Sequence, residues 1–397
     1  MKDEIIRSIR QDVYEGMELG RALTDEEVWE LIDERIISLA KATMLGISER
    51  REIATAVFNS LRRLDVLQEL VDDSSVSEIM INGPDEIFIE RRGELCKWDR
   101  KFESKEKLED IIQLIVGKNN RMVNEMNPIV DTRLENGSRV NIVLSPIAIN
   151  GPIVTIRRFP DNPFTIEDLL SRGSINTEIA DFLKGMVAAG MNIFVSGGTS
   201  SGKTTFLNVL ANFIPENERV ITIEDSAELC LKNIKNLVRL ETRTRNSEGK
   251  AEITIRDLIK SALRMRPDRI IVGEVRSGEA LDMINAMNTG HDGSLSTGHA
   301  NSCKDMLKRL ETMILMAVDM PVTAIRGQIA AGIDLMVHLG RARDGTRKLL
   351  EVQEIVDCID GEIILNPLYR FAGKTGDGGN QWEKIGEIKN RTKLLQI

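Results

Sequence analysis

Cysteine and histidine are scarce in this chain, and long apolar runs are missing. Its four cysteines (Cys96, Cys230, Cys303 and Cys358) are scattered, with no C-x-x-C pair. That spacing excludes a disulfide framework and a cysteine-rich zinc site, and it fits a reducing cytosol. No run of about 18 apolar residues occurs, so no helix is expected to span a bilayer. Met1-Lys2-Asp3-Glu4 is acidic and no apolar h-region follows, so a secretory signal is not expected. Tandem repeats and low-complexity tracts are also lacking.

What is present is an ordinary globular balance, 42% hydrophobic and 29% charged over 397 residues. That is more chain than one core usually organises, and two or three domains are expected. The net charge of -9 is uneven: residues 1–73 hold 10 Lys+Arg against 17 Asp+Glu, and the remainder 43 against 45. An acidic front end argues against nucleic acid as that segment's partner.

Residues 1–73 are expected to be helical throughout. Thr24-Asp25-Glu26-Glu27 has capping-box form, and Val28, Leu31, Ile32, Ile36 and Leu39 follow at helical spacing. Ile53, Val57, Leu61 and Leu64 repeat the pattern. This extension is either a solvated cap on the next domain or a docking arm for a partner. Past Asp73 the period turns to alternation, with Asn82-Gly83 and Arg92-Gly93 as turns, and a helix is expected after Ser104. These features predict an α+β domain over 74–159 and a Pro-containing linker over 160–172. From 173 to 397 apolar strand cores (Ile193-Phe194-Val195, Val220 to Ile223, Leu237-Val238, Ile270-Ile271-Val272) are separated by helical patterns. That alternation predicts an α/β domain with a parallel sheet covered on both faces.

Gly197-Gly198-Thr199-Ser200-Ser201-Gly202-Lys203-Thr204 matches G-x-x-x-x-G-K-[ST] in full. Glycines let the backbone curl so that successive N–H groups point at phosphate oxygens. Lys203 adds positive charge, the Thr204 hydroxyl is placed for Mg²⁺, and the helix beginning near Lys203 aims its dipole at the same anions. The plain alternative is a Gly-rich turn without a ligand.

Other candidates fall after strand cores, where doubly wound sheets carry chemistry. Glu224 follows one core and is read as the group that orients and deprotonates water; the alternative is turn capping. Gly273-Glu274 stands where a magnesium-binding Asp is usual. Glu274 is assigned to the metal through water, the alternative being an ion pair with an arginine. Asp268 precedes its strand and is read as a turn acid. His338 is read as a satisfied strand residue. His291 and His299 lie in a Gly/Ser/Thr-rich stretch from Thr289 to Asn301, where a histidine could bond the γ-phosphate.

Gly197 to Thr205, Ile223-Glu224-Asp225, Arg266 to Arg276 and Thr297-Gly298-His299-Ala300-Asn301 occur in that order. Together they resemble the Walker A, Asp box, atypical Walker B and His box of the type II/type IV secretion and pilus ATPases. The blocks Ala286 to Ser294 and Asp131 to Asn141 look like the CpaF-type branch, the tight-adherence (Flp) pilus motors. The resemblance covers roughly residues 74–370. It implies a RecA-like P-loop NTPase domain, ATP and Mg²⁺ as cofactors, and a homohexameric ring. The ring would act at the inner face of the cytoplasmic membrane, held there by platform proteins of a pilus or secretion machine. In the implied roles Gly198, Thr199, Ser200, Ser201, Gly202, Lys203, Thr204 and Thr205 bind nucleotide, and Glu274 and Thr204 support the metal. Lys203, Glu224, Glu274 and His299 form the catalytic set. Arg133 and Arg139 match positions that approach the phosphates or a subunit interface, and Arg157 and Arg158 lie near the implied hinge. Gly298 stands where the branch often has Ile, and the zinc-binding tetracysteine of the pilus-extension branches is absent.

Eight arginines lie between Arg239 and Arg276, including Arg245, Arg256 and Arg269, with no aromatic among them. Base stacking would want aromatics, so ring-interface or phosphate contacts fit better and no nucleic acid is expected. The expected function is ATP hydrolysis driving Flp-type pilin assembly, retraction or secretion. The rivals are a nucleic-acid translocase of the same class and a nucleotide-gated scaffold with little turnover.

Overall fold

Helical spacing at the start of the chain becomes three helices in the computed structural model: α1 (Lys2–Gly16), α2 (Asp25–Thr43) and α3 (Ile47–Arg62). The structure describes all residues except 1, 17–22, 44, 92, 120, 159–162, 244–251, 343–344, 375–378 and 395–397. Arg92, Arg245 and the expected domain–linker junction at 159–160 therefore lie outside the described residues. By contacts the chain divides into Met1–Asp161 and Asn162–Ile397, and each unit is described by itself.

The capping box at Thr24 forms: Thr24 N–H donates to Glu27 Oε2 at 2.8 Å, and Glu27 N–H to Thr24 Oγ1 at 3.3 Å. Ile9, Val13, Val28, Ile32, Ile36, Val57 and Phe58 close a small core, with Trp29 stacked on Phe58. Leu64, Leu67 and Leu70 turn elsewhere. With α4 (Leu67–Asp72) they join the core of the following sheet.

That sheet is built from β1 (Val76–Asn82), β2 (Ile87–Arg91), β3 (Glu94–Lys97), β4 (Ile129–Arg133), β5 (Arg139–Val143) and β6 (Ile153–Arg157), in the order β3-β2-β1-β6-β5-β4. Every pairing is antiparallel. Period-2 alternation buries Ile79, Ile81, Ile87, Ile89, Val140, Ile142, Val154 and Ile156 against α5 (Lys105–Lys118). Helix α5 is capped as expected, Lys107 N–H donating to Ser104 Oγ at 3.2 Å. On the other face Arg133 opposes Arg139, which opposes Arg157, so three arginines form one row across the strands.

The helical layer is stitched to the sheet layer at the start of α5. Arg7 Nε and Arg10 Nη2 reach Glu103 at 2.7 and 2.6 Å, and Lys107 Nζ donates to the Ser60 carbonyl at 2.9 Å. Asp65 lies half-buried beside these groups, and desolvation raises its pKa against the opposing pull of Lys107 and Arg10.

In the second unit α6 (Ile166–Ser171) and α7 (Thr177–Ala188) lead to β7 (Ile193–Gly197) and α8 (Lys203–Ala211). There follow β8 (Arg219–Glu224), β9 (Asn236–Glu241), α9 (Ile255–Ala262), β10 (Arg269–Val272), α10 (Glu279–Met287) and β11 (Leu295–His299). The chain continues through α11 (Cys303–Ala317), α12 (Val322–Gly332), β12 (Leu335–Arg341), β13 (Arg347–Ile359), β14 (Glu362–Lys374) and β15 (Asn380–Lys384). The sheet order is β15-β14-β13-β12-β7-β11-β10-β8-β9. From β12 to β9 all pairings are parallel, and β13 to β15 extend the sheet as antiparallel hairpins.

Continuous apolar strands demand cover on both sides. Ile193 and Val195 pack toward α7 and α8, while Phe194 packs toward α9 to α12, giving two cores on opposite faces. The Ser/Thr/Gly stretch from 289 to 301 contains a strand. Residues 295–299 are β11, and Ser296 and Thr297 are buried in the middle of the sheet. Small residues suit that strand because helices press on both of its faces. Among the described residues no single helix is long and apolar enough to cross a membrane.

Candidate functional site

Parallel strands end at the same edge. This sheet therefore delivers Gly197 of β7, Glu224 of β8, Val272 of β10 and His299 of β11 to one rim. The glycine-rich loop leaves β7 there and enters α8, whose helix begins at Lys203. Ser200 and Gly202 both take the left-handed conformation, at φ 57° and 93°. A Cβ on Gly198 would meet nothing within 4 Å, so the backbone is bare at that point of the curl.

Lys203 is buried, and burial lowers the pKa of its ammonium. Its Nζ donates to the Gly198 carbonyl at 3.1 Å and to His299 Nδ1 at 3.2 Å. His299 Nε2 lies 3.0 Å from Glu274 Oε1, and Arg276 Nη2 lies 2.8 Å from Glu274 Oε2. Burial, followed by the Lys203 charge, lowers the His299 pKa. A neutral imidazole accepts from Lys203 through Nδ1 and keeps its proton on Nε2, which faces Glu274 without an aligned hydrogen bond, so Glu274 Oε1 stays buried and unpaired. The chain of contacts continues from Arg276 to Asp225 Oδ2 at 3.5 Å, and the bond that Arg276 donates to Glu274 raises the Arg276 pKa. A cavity of about 330 Å³ opens beside it, lined by Thr199, Glu274, Val275, Arg276, His299 and Arg309.

Glu224 sits on the neighbouring strand end, only 3% exposed. Oε1 accepts from the backbone N–H groups of Glu228 (2.8 Å) and Leu229 (3.0 Å). Oε2 is buried with no partner. Burial outweighs the two backbone bonds and pushes the carboxyl up to about 7. Glu224 thus both caps a turn with one oxygen and keeps a second, proton-hungry oxygen in reserve. Gly273 allows the close fit, since a Cβ there would lie 3.0 Å from Glu224 Cγ.

Lys203, His299 and Glu274 are brought into direct contact, with Glu224 on the adjacent strand end. Glu274 does form the arginine ion pair weighed from sequence. Thr204 and Thr205 occupy the first turn of α8 and are half-buried. Arg133 and Arg139 belong to the first unit. His291 lies before β11, at the end opposite His299, with Nδ1 3.2 Å from the Ala286 carbonyl. His338 is buried on β12, its Nδ1 2.9 Å from Ser196 Oγ. Asp268 accepts from Arg219 N–H at 2.6 Å, at the far end of the sheet from the rim. Gly298 is explained by Met306: a Cβ would fall 2.8 Å from Met306 Cε and 3.1 Å from the Phe194 ring, so α11 already fills that space.

Two residues escaped the sequence reading: Arg309 lines the cavity, and Arg347 donates from Nε to the Ser200 carbonyl at 3.0 Å. Arg276, one of the eight arginines read as interface or phosphate contacts, is the one that grips Glu274.

The residues fit a nucleotide and its metal. Thr199 of the left-handed loop and the cations Arg276 and Arg309 line one cavity, Lys203 at the helix start touches His299 on its wall, and Ser201 Oγ is buried with no partner. Among the described residues no group of three or more His, Cys, Asp or Glu could hold a metal alone. Magnesium carried in by phosphate oxygens and water suits such a site.

Comparison with known proteins agrees with this architecture. The sequence profile of the family described as "Type II/IV secretion system protein" matches residues 61–356. An uncharacterized protein of Methanocaldococcus jannaschii is 39% identical over 276 residues, 68% of this chain. The match spans only 38% of that relative's own length. The type IV secretion system protein VirB11 of Brucella suis is 32% identical over 321 residues, covering 73% of this chain and 88% of that protein. The solved structure of the Legionella pneumophila ATPase DotB is similar in fold. It has a TM-score of 0.54 at 24% identity and covers 72% of this chain and 79% of that one. The fold is thus α/β with RecA-like neighbours.

Proposed function

The chain belongs to the type II/IV secretion system protein family, and from that premise we propose that it is an ATP hydrolase of a secretion or pilus machine. The observation that carries this reading is the meeting of Lys203, His299 and Glu274 at the phosphate-loop rim, with Glu224 beside them. Lys203 and the N–H groups of residues 198–205 hold the β- and γ-phosphates. Thr204 and Glu274 would hold magnesium, Glu274 through water. When bound, Mg·ATP supplies the anhydride bond that is broken and the metal charge that offsets the charge developing on the phosphate. Glu224 takes the proton of the attacking water on Oε2 while its Oε1 stays fixed by Glu228 and Leu229. His299 exchanges its place on Lys203 for the γ-phosphate and relays that contact to Glu274.

The same proposal includes a homohexameric ring at the inner face of the cytoplasmic membrane, working on Flp-type pilins through platform proteins. The resemblance of residues 131–141 and 286–294 supports it, and the proposed roles of Arg133 and Arg139 rest on that resemblance. The arginines between 239 and 276 favour protein contacts over nucleic acid: Arg256 pairs with Asp282, Arg269 with Glu218 and Arg276 with Glu274.

Phosphate release by the purified chain tests the reading. Lys203→Ala should abolish turnover without lowering the unfolding temperature, and wild-type specific activity should rise with protein concentration as rings form. Turnover retained in Lys203→Ala sinks the assignment.

A further inference from the structure

We infer that Arg347 is a positioning residue of the phosphate loop, holding the Ser200 carbonyl from outside so that the neighbouring N–H faces a bound phosphate. The inference rests on the phosphate-binding reading of this loop and extends it to a residue 147 positions away in sequence.

Topology brings the two together. Strand β12 runs parallel beside β7, with Leu339 opposite Gly197. Strand β13 returns antiparallel, with Arg347 opposite Arg341. The first residue of β13 therefore arrives alongside the loop that leaves β7. Its start is fixed independently: Lys348 is buried and its Nζ donates to the Gly173 carbonyl at 2.6 Å. Leu349 N–H donates to the Ser174 carbonyl at 2.9 Å, and Trp382 Nε1 donates to the Leu349 carbonyl at 2.7 Å. Arg347 projects from a held strand, and its reach is not that of a free loop.

At the loop, Arg347 makes two contacts with residues in unusual backbone states. Nε donates to the carbonyl of Ser200, a left-handed non-glycine residue. The Arg347 Cδ lies 3.2 Å from where a Cβ on Gly202 would stand, so its stem lies along the second left-handed residue. A trans peptide is planar, and its C=O and N–H point in opposite directions. Pinning the Ser200 oxygen outward therefore turns the Ser201 N–H inward, where it meets the Gly198 carbonyl at 3.4 Å. That carbonyl is also the acceptor for Lys203 Nζ. Two donors meant for phosphate thus share one acceptor within the loop, and Arg347 keeps one of them aimed. If the Ser200–Ser201 peptide turned over, it would present an oxygen to the phosphates in place of a hydrogen.

Side-chain length makes the idea testable. Glutamine places its amide nitrogen where arginine has Nε, without the charge. Methionine has the same reach and no donor. Lysine keeps the charge and puts a methylene at that position. Affinity for Mg·ADP and for a non-hydrolysable ATP analogue, measured by titration calorimetry, should fall about 3–10-fold in Arg347→Met and Arg347→Lys. Arg347→Gln should stay within about twofold of wild type, because it keeps the donor. KM for ATP should rise with kcat unchanged, and the nucleotide-free unfolding temperature should not move. Equal affinity in wild type and Arg347→Met overturns the inference. So does affinity that follows charge, with Lys like wild type and Gln like Met. Wild type that binds no nucleotide overturns the phosphate reading as well, and Lys203→Ala in the same titration separates the two cases.

Discussion

Replacing Glu224 by glutamine isolates the cost of keeping a buried carboxylate beside the phosphate loop. The group's pKa rises from 4.5 to about 7 because burial outweighs its two backbone bonds. Below pH 4.5 folded and unfolded chains both carry the proton, and Glu224 contributes no pH dependence. Between 4.5 and 7 the unfolded chain releases the proton while the folded chain keeps it. Stability therefore falls as pH rises, by up to about 1.4 kcal/mol per pH unit. Above pH 7 the accumulated loss levels off at roughly 3 kcal/mol. Glutamine resembles the protonated acid: its oxygen still accepts from Glu228 and Leu229, and its NH₂ stands where the acid carries O–H. The variant should match wild type within about 1 kcal/mol near pH 5 and exceed it by roughly 2–3 kcal/mol at pH 8. Urea unfolding of both proteins at half-unit steps from pH 5 to 8.5 reads the difference directly. Two parallel stability curves would refute the argument, because they would mean that Glu224 titrates alike in folded and unfolded chains. The same carboxylate is the proposed proton acceptor, so wild-type turnover should climb with pH through about 7. Turnover by Glu224→Gln should be lower by about 10²–10⁴-fold, with no such rise.

Two further substitutions examine packing at the same edge and at the opposite one. Gly298→Ala drives a methyl into Met306 and Phe194 and should destabilise by about 1–3 kcal/mol; adding Met306→Ala should recover part of that loss, and simple additivity of the two would count against the packing account. Arg269 is 2% exposed, donates twice to Glu218 and reaches the Val187 carbonyl. Arg269→Met should therefore cost about 3–5 kcal/mol in denaturant unfolding, while Arg269→Met with Glu218→Leu should cost much less.

The parts of this molecule that could be read in the sequence are those whose physics is local. The loop from Gly197 to Thr204 carries its own glycines and its own helix start. The caps at Thr24 and Ser104 depend on residues three positions away. Strand cores such as Ile193-Phe194-Val195 announce themselves because burial on both faces leaves no polar position. Reading failed where partners are distant. The strand that ends at His299 could be placed, but that it has room only for small side chains follows from Met306 and Phe194 packing on Gly298. The hairpins of β13 to β15 were not separated from the parallel sheet, since alternation at its edge also suits a surface strand. Nothing near Arg347 hints at Ser200, and that contact exists only through the pairing of β12 with β7. Glu224 could be proposed as a base or as a cap, and only the structure shows one oxygen capping a turn while the other lies buried without a partner.

The stitches between Arg7, Arg10, Ser60, Glu103 and Lys107 give the first unit a mechanical character. Its acidic helices are fastened to the start of α5 at several points on two different helices. A pull or twist applied to that helical layer passes into the six-stranded sheet, where a single flexible joint would have dissipated it. Whatever grips the acidic face thereby grips the sheet, and the layer transmits load as a lever does.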